Sequence, residues 1–257
     1  MVRNSVYPSF EESMKYSSFF KNPIDNTKWD ILRNRYDNWL FRTKGENQIP
    51  KILHQVWIGG PLPAFEQQMT DQVRQKLGAD WEYIMWTEHD LHRLNDFKNK
   101  ELFDITPNLG QKSDLLRYAI LNEFGGIYMD TDFLLLTDFN DLLDLEFFCG
   151  VAYDAEPTVF NGLMGSTPGN NIIKDLLTLD IDLCYSDATD IMNSTGPYFL
   201  TRQIFKNIST IDNLVVFPNS YFYPLPNFEI NQVRGKDHQS YLEPESICCH
   251  MWSSSWM

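Results

Sequence analysis

The chain has little of several features that would settle its class at once. No window approaches the roughly 18 consecutive apolar residues of a membrane-spanning helix, so no integral membrane segment is expected. The opening residues, MVRNSVYPSFEESMKYSSFF, lack the apolar core of a secretory leader, which predicts a cytoplasmic protein. Cysteine is scarce: Cys149, Cys184, Cys248 and Cys249 form no CxxC pair and no Cys/His zinc spacing. They read as reduced, mostly buried thiols. Basic residues are outnumbered, with 21 Lys and Arg against 35 Asp and Glu, a net charge of −14. That excludes nucleic-acid binding through a broad basic face. It leaves room for a small phosphate-bearing ligand, because a bound cation and a few basic groups can invert the field within a pocket. The GxxxxGK[ST] phosphate loop, the GxSxG elbow and the HExxH helix are all missing, as are internal repeats and low-complexity linkers.

What is present is an ordinary globular composition over 257 residues, enough for one sizeable α/β domain or two small ones. Aromatic content is high at 14%. Such rings either fill the core or stack on flat or sugar-like ligands.

Residues 1–48 read as a helical extension packed on the main domain. Trp29, Leu32, Tyr36, Trp39 and Leu40 form one apolar stripe at helical spacing, with a membrane-surface or partner-binding face as the other reading. After the polar break at 43–47, residues 49–257 are expected to form the catalytic domain. IPKILHQVWIGG (49–60) is a strand ending in a double glycine, which puts Trp57 either in the core or at the carboxyl end of a strand, where open α/β sheets bind ligands. A helix over 64–78, a strand over 81–87 and a helix from 88 follow, and this alternation predicts a mostly parallel sheet. Strands are further expected at 147–152, at 159–165 as an edge or returning strand, at 213–217 and from 247. Helices are expected over 169–183 and 196–207.

The stretch SDLLRYAILNEFGGIYMDTDFLLL (113–136) carries the chemistry. It reads as a helix capped by Ser113 or Asp114, a stop at Gly125-Gly126, and one apolar strand interrupted by Asp130 and Asp132. In a strand those carboxylates share a face, roughly 6.6 Å apart. Burying both is costly unless a positive charge compensates. A divalent cation would do so, since magnesium and manganese prefer carboxylate oxygens; two strand-end aspartates facing water are the plainer alternative. Asp114 and Arg117, three apart on the helix, can face the same cleft, the guanidinium suiting an anion or sugar hydroxyls. His250 is either a further metal ligand or a hydrogen-bonded structural histidine. The calcium-loop reading fails at Leu134 and Leu135. An aspartate-nucleophile phosphohydrolase, which wants Thr or Val where Leu134 stands, is the competing enzyme.

Taken together, SDLLRYAILNEFGGIYMDTD resembles the signature of the nucleotide-sugar glycosyltransferases with a DXD sugar-binding region. That family includes the yeast initiating α-1,6-mannosyltransferase and bacterial capsule and lipopolysaccharide enzymes, with clostridial toxin glucosyltransferase domains as distant relatives. IPKILHQVWIGG, NGLMGSTPGN, TGPYFLT and HMWSSSW resemble its other segments in order, from about residue 49 to 257. The resemblance implies a glycosyltransferase-A fold, a Mn²⁺ or Mg²⁺ cofactor and retaining transfer of a hexose from a nucleotide-sugar to a glycan, glycolipid or protein. WIGG resembles the toxin-like branch and favours a UDP-sugar over GDP-mannose. The implied roles put Trp57 at the base, Ser113, Asp114 and Arg117 at the donor sugar, and Tyr128 and Asp130 at ribose and sugar. Asp132 would bind the metal directly with Asp130 and His250 beside it, Asn161 would lie near the sugar, and Ser255 and Trp256 would engage the diphosphate. Without a membrane anchor the chain fits a bacterial or viral cytosolic enzyme better than a Golgi one. A non-catalytic sugar-nucleotide or glycan-binding module is the third reading. Oligomeric state is not legible.

Overall fold

A computed structural model describes residues 7–14, 26–152, 157–179, 188–227 and 238–253. In chain order the helices and strands are α1 (Phe10–Ser13), α2 (Asn26–Phe41), β1 (Ile52–Val56), α3 (Ala64–Lys76), β2 (Glu82–Trp86), α4 (Lys100–Ile105), α5 (Leu109–Phe124), β3 (Gly126–Met129), β4 (Phe133–Leu135), β5 (Phe147–Val151), β6 (Val159–Ser166), α6 (Asn171–Leu176), α7 (Ala188–Ser194), α8 (Pro197–Asn207), β7 (Leu214–Phe217), α9 (Asn219–Phe222) and β8 (Cys248–His250).

Six strands form the central sheet in the order β2-β1-β3-β6-β5-β7. β1 pairs in parallel with β2 and β3, and β5 with β7, while β6 runs antiparallel between β3 and β5. Five strands therefore share one direction and the sheet is mostly parallel. The strand expected at 159–165 is a returning strand in the sheet interior, not an edge. Its neighbour β5 and the outer strand β7 are buried at every position, as continuous apolar runs covered by helices should be. β2, at the other edge, shows partial exposure at alternate residues.

The stripe on α2 is core: Leu32 and Tyr36 are fully buried, and the helix packs on β7. Phe41, at the end of the helix, is its exposed large apolar side chain. Below it, Arg42 and the Gly45 amide both reach the buried carboxylate of Asp144. This ties the segment leading into β1 to the loop before β5.

Two expectations for 113–136 are corrected. The helix begins at Leu109, not at 113; its cap is Asn108, whose side chain accepts from the Gln111 amide. Ser113 and Asp114 therefore lie inside the helix. Nor is 127–136 one strand. β3 leaves the central sheet at Met129, the chain turns through Asp130-Thr131-Asp132, and β4 joins a separate two-stranded sheet with β8. The free edge of β4 is closed by Gln72 of α3, which donates to the Leu135 carbonyl and accepts from its amide. Gly125 and Gly126 make the helix-to-strand reversal at φ 63° and 90°. A Cβ on Gly126 would stand 2.5 Å from the Ile52 carbonyl oxygen, so β3 can lie this close to β1 only with glycine there.

Candidate active site

The carboxyl ends of β1 and β3 open onto a cavity of about 720 Å³, completed by the first half of α5, the start of β6, the α7–α8 turn and the end of β8. Trp57, the residue after β1, is half-buried on its wall, and its Nε1 donates to the Gly60 carbonyl, fixing the ring. The other strand-end residue, Asp130, is held from both sides: its amide donates to Gly162 of β6 and its carbonyl accepts from Gln55 of β1. Gly162 matters because a Cβ there would stand 2.7 Å from the Asp130 Oδ2.

The Asp114–Arg117 pair is buried and not the exposed helix pair that spacing alone suggests. Arg117 is 5% exposed, and each of its three nitrogens donates to a protein acceptor. Nε donates to the Ser113 carbonyl and Nη2 to the Ser113 hydroxyl, while Nη1 donates to the Asn161 carbonyl at 2.8 Å. The same guanidinium lies 3.4 Å from Asp114 and 3.3 Å from Asp130, and it stacks over the Tyr128 ring. It therefore bridges two carboxylates before any substrate is present. Tyr128 does not reach the cavity; it is buried behind the wall and donates its hydroxyl hydrogen to Asp130 at 2.5 Å.

Asp132 and His250 meet because Phe133 and His250 are register partners in the β4–β8 ladder. His250 Nε2 is 3.0 Å from Asp132 Oδ1, and the Ser253 amide donates to Oδ2 at 2.8 Å. The imidazole packs on Phe133 and edge-on against Trp252, and its buried Nδ1 has no protein hydrogen-bond partner. Trp252 lines the cavity with φ of 51°, a left-handed conformation unusual for tryptophan, held by its Nε1 donating to the Leu225 carbonyl.

Ligand atoms of Asp130, Asp132 and His250 all lie within 4.8 Å of one another. Asp114 and Asp130 share the one guanidinium and Asp132 pairs with His250, so the carboxylates outnumber the guanidinium three to one. Oxygen donors, one imidazole and an excess of carboxylates fit a divalent cation. The electrostatics carry the same strain. Burial, partly offset by Arg117 and worsened by Asp132, raises the Asp130 pKa above the usual carboxylate range. Burial likewise pushes Asp114 up to about 6. Burial alone would raise Asp132 too, but His250 and the Ser253 amide outweigh it and bring the carboxyl down to about 2.

This site accords with the comparisons. The model of the family described as glycosyltransferase sugar-binding region containing DXD motif matches residues 63–148, which include Asp130 and Asp132. A glycosyltransferase of Acanthamoeba polyphaga mimivirus is 31% identical over 188 residues, covering 68% of this chain and 73% of that protein. The chain belongs to the DXD glycosyltransferases. Another relative, inositol phosphoceramide mannosyltransferase 3 of Schizosaccharomyces pombe, is 27% identical over 191 residues. That match takes in 68% of this chain but about half (51%) of the yeast protein. Among solved structures the PaToxG glycosyltransferase superposes with a TM-score of 0.55 at 15% identity, covering 81% of each chain. At that identity the likeness concerns the fold, and it is the glycosyltransferase-A fold.

Of the glycosyltransferase's expected site residues, Trp57, Ser113, Asp114, Arg117, Asp130, Asp132, Asn161 and His250 all line the one cavity. Ser255 and Trp256 lie outside the described residues. Sequence reasoning missed Thr195, which donates to Asp114 at 2.9 Å, and Gly162, over which Asp130 lies. Both sit in segments that the resemblance picked out, TGPYFLT and NGLMGSTPGN, without a role being given to either residue. No helix among the described residues is long and apolar enough to cross a membrane.

Proposed function

We propose that this glycosyltransferase moves a hexose from a nucleotide-sugar, with a divalent cation held by Asp132, Asp130 and His250, and with retention of anomeric configuration. The observation that carries the reading is the convergence of those three ligands, through two separate sheets, on a cavity where carboxylates outnumber the guanidinium. When bound, Mn²⁺ or Mg²⁺ supplies charge stabilisation for the departing nucleoside diphosphate.

The chain's own groups do the rest. Trp57 offers an anchored aromatic face to the base at the mouth of β1. Asp114 and Asn161 offer side-chain oxygens as acceptors to sugar hydroxyls deeper in. Arg117, hydrogen-bonded through each of its three nitrogens, acts by setting the geometry of Asp114 and Asp130, and Ser113 and Tyr128 brace that arrangement from behind. Trp252, seated against His250, walls off water that would hydrolyse the donor, with Ser255 and Trp256 assigned to the diphosphate. We assign no nucleophile. Residues 49–257 form the catalytic domain and 1–48 its extension.

The donor is a UDP-hexose or GDP-mannose. A glycolipid is the favoured acceptor, since curated relatives carry the names of inositol phosphoceramide mannosyltransferases, while a glycan or a protein acceptor remains within the chemistry. Calorimetric titration of UDP-glucose and of GDP-mannose, each with and without Mn²⁺, tests the reading. One of them should bind only with the metal, and Asp132→Ala should abolish that binding. Equal binding without Mn²⁺, or by Asp132→Ala, would overturn it.

A further inference from the structure

We propose that Thr195 is a positioning residue for donor binding, acting through Asp114 without touching substrate. The inference rests on the reading of Asp114 as the carboxylate that accepts donor-sugar hydroxyls. Thr195 follows α7, is 1% exposed and does not line the cavity, whereas its successors Gly196 and Pro197 do.

Its hydroxyl and its carbonyl face α5 in opposite senses. The hydroxyl donates to Asp114 Oδ2 at 2.9 Å, and the carbonyl accepts from the Tyr118 hydroxyl at 2.5 Å. Asn161 closes the ring, its Nδ2 donating to Asp114 Oδ1 at 2.7 Å and to the Tyr118 oxygen at 3.0 Å. The hydroxyl's other acceptor, the Ile191 carbonyl, is 3.5 Å away and too long to compete for the single hydrogen. Asp114 Oδ1 thus has Asn161 and, at 3.4 Å, Arg117, while Oδ2 takes its hydrogen bond from Thr195.

The asymmetry is the point. Without the threonine hydroxyl, the donors holding Asp114 are all on the Oδ1 side, and the carboxylate is free to turn toward Arg117. The cavity wall at Gly196-Pro197 also loses one of its ties to α5. Threonine therefore sets which oxygen of a nearly buried carboxylate faces the sugar. A hydrogen bond to a charged group shifts an equilibrium by roughly tenfold to a hundredfold.

The experiment is a double-mutant cycle on donor binding and turnover. UDP-glucose and GDP-mannose are titrated with Mn²⁺ against wild type, Thr195→Val, Thr195→Ser, Asp114→Asn and Asp114→Asn/Thr195→Val. Thr195→Ala stands in should valine disturb packing. Thr195→Val is expected to raise the donor KM about tenfold with a smaller change in kcat, and Thr195→Ser to restore it. In the Asp114→Asn background the valine change should add nothing further, because its only route is through that carboxylate. An unchanged KM with lower kcat, an equal defect in Thr195→Ser, or additivity with Asp114→Asn would each overturn the inference. Wild type that binds neither donor would overturn the parent reading and this inference with it; wild-type binding matched by Thr195→Val would overturn the inference alone.

Discussion

The imidazole Nε2 of His250 stands 3.0 Å from Oδ1 of Asp132, delivered there by the β4–β8 ladder. His250 ends one three-residue strand and Asp132 immediately precedes the other, and strands this short are not held by their own ladder alone. A cation shared by Asp130, Asp132 and His250 would therefore brace this small sheet as well as serve the reaction.

Mn²⁺ should accordingly stabilise the protein against heat. Free metal at a hundred times its Kd adds about 2.7 kcal/mol when only the native state binds it, enough for a rise of several degrees in Tm. Replacing His250 with alanine should weaken Mn²⁺ about tenfold or more and shrink that rise. Differential scanning calorimetry over a Mn²⁺ series checks it; an undiminished rise in the variant would remove His250 from the ligand set.

Gly162→Ala tests how tightly Asp130 is placed. The new methyl would meet the carboxylate oxygen at 2.7 Å, and Asp130, not the backbone of a central strand, has the freedom to move. Loss of metal affinity and of kcat/KM by about tenfold is expected, with Tm lowered by overpacking. Full activity in this variant would show that Asp130 tolerates displacement.

The acid limb of activity should report Asp114. Burial holds its pKa at about 6, against the lowering pull of Arg117 and of hydrogen bonds from Thr195 and Asn161. Its ionised form is thus lost as pH falls through that value, and kcat/KM should fall with it. Asp114→Asn should lower activity at neutral pH and remove the limb. A limb that persists in this variant belongs to another group.

His54 makes a prediction about stability alone. It is fully buried in β1, accepts at Nδ1 from Trp86 Nε1, and hydrogen-bonds the Gly125 carbonyl through Nε2. Burial lowers its pKa to about 4 from 6.5. Between those values the unfolded chain takes up a proton that the native protein refuses, so this residue's contribution falls as pH drops. Between pH 7 and 5 the loss is about 2 kcal/mol. Urea unfolding at both pH values should show a smaller difference in His54→Gln; an unchanged difference would mean that His54 titrates alike in both states.

Much of the fold was legible because it is written locally. The apolar runs at 52–56 and 214–217, the helical stripe on α2 and the double glycine after α5 each point to one local answer. The DXD pair was legible for the same reason, as two charges where an apolar run has no use for them. What was not legible depends on distant partners. The split of 127–136 into β3 and β4 follows from β8, which supplies a second sheet from the far end of the chain. The interior place of β6 depends on which strands flank it, which no local pattern states. The start of α5 was set four residues late because Ser113 and Asp114 look like caps, whereas the cap in use is Asn108 and both residues face the cavity. Tyr128 belongs to the motif, but strand alternation alone could not tell that its hydroxyl would be spent on Asp130 behind the cavity wall.

The central claim is metal-dependent sugar transfer by the Asp130–Asp132–His250 site. Its most direct test is release of nucleoside diphosphate from UDP-glucose and GDP-mannose by purified protein, with Mn²⁺ and then with EDTA, in wild type and Asp132→Ala. Release from one donor with Mn²⁺ is expected, with none in EDTA and a loss of at least about a hundredfold in Asp132→Ala. Release that survives both EDTA and the loss of Asp132 would contradict it.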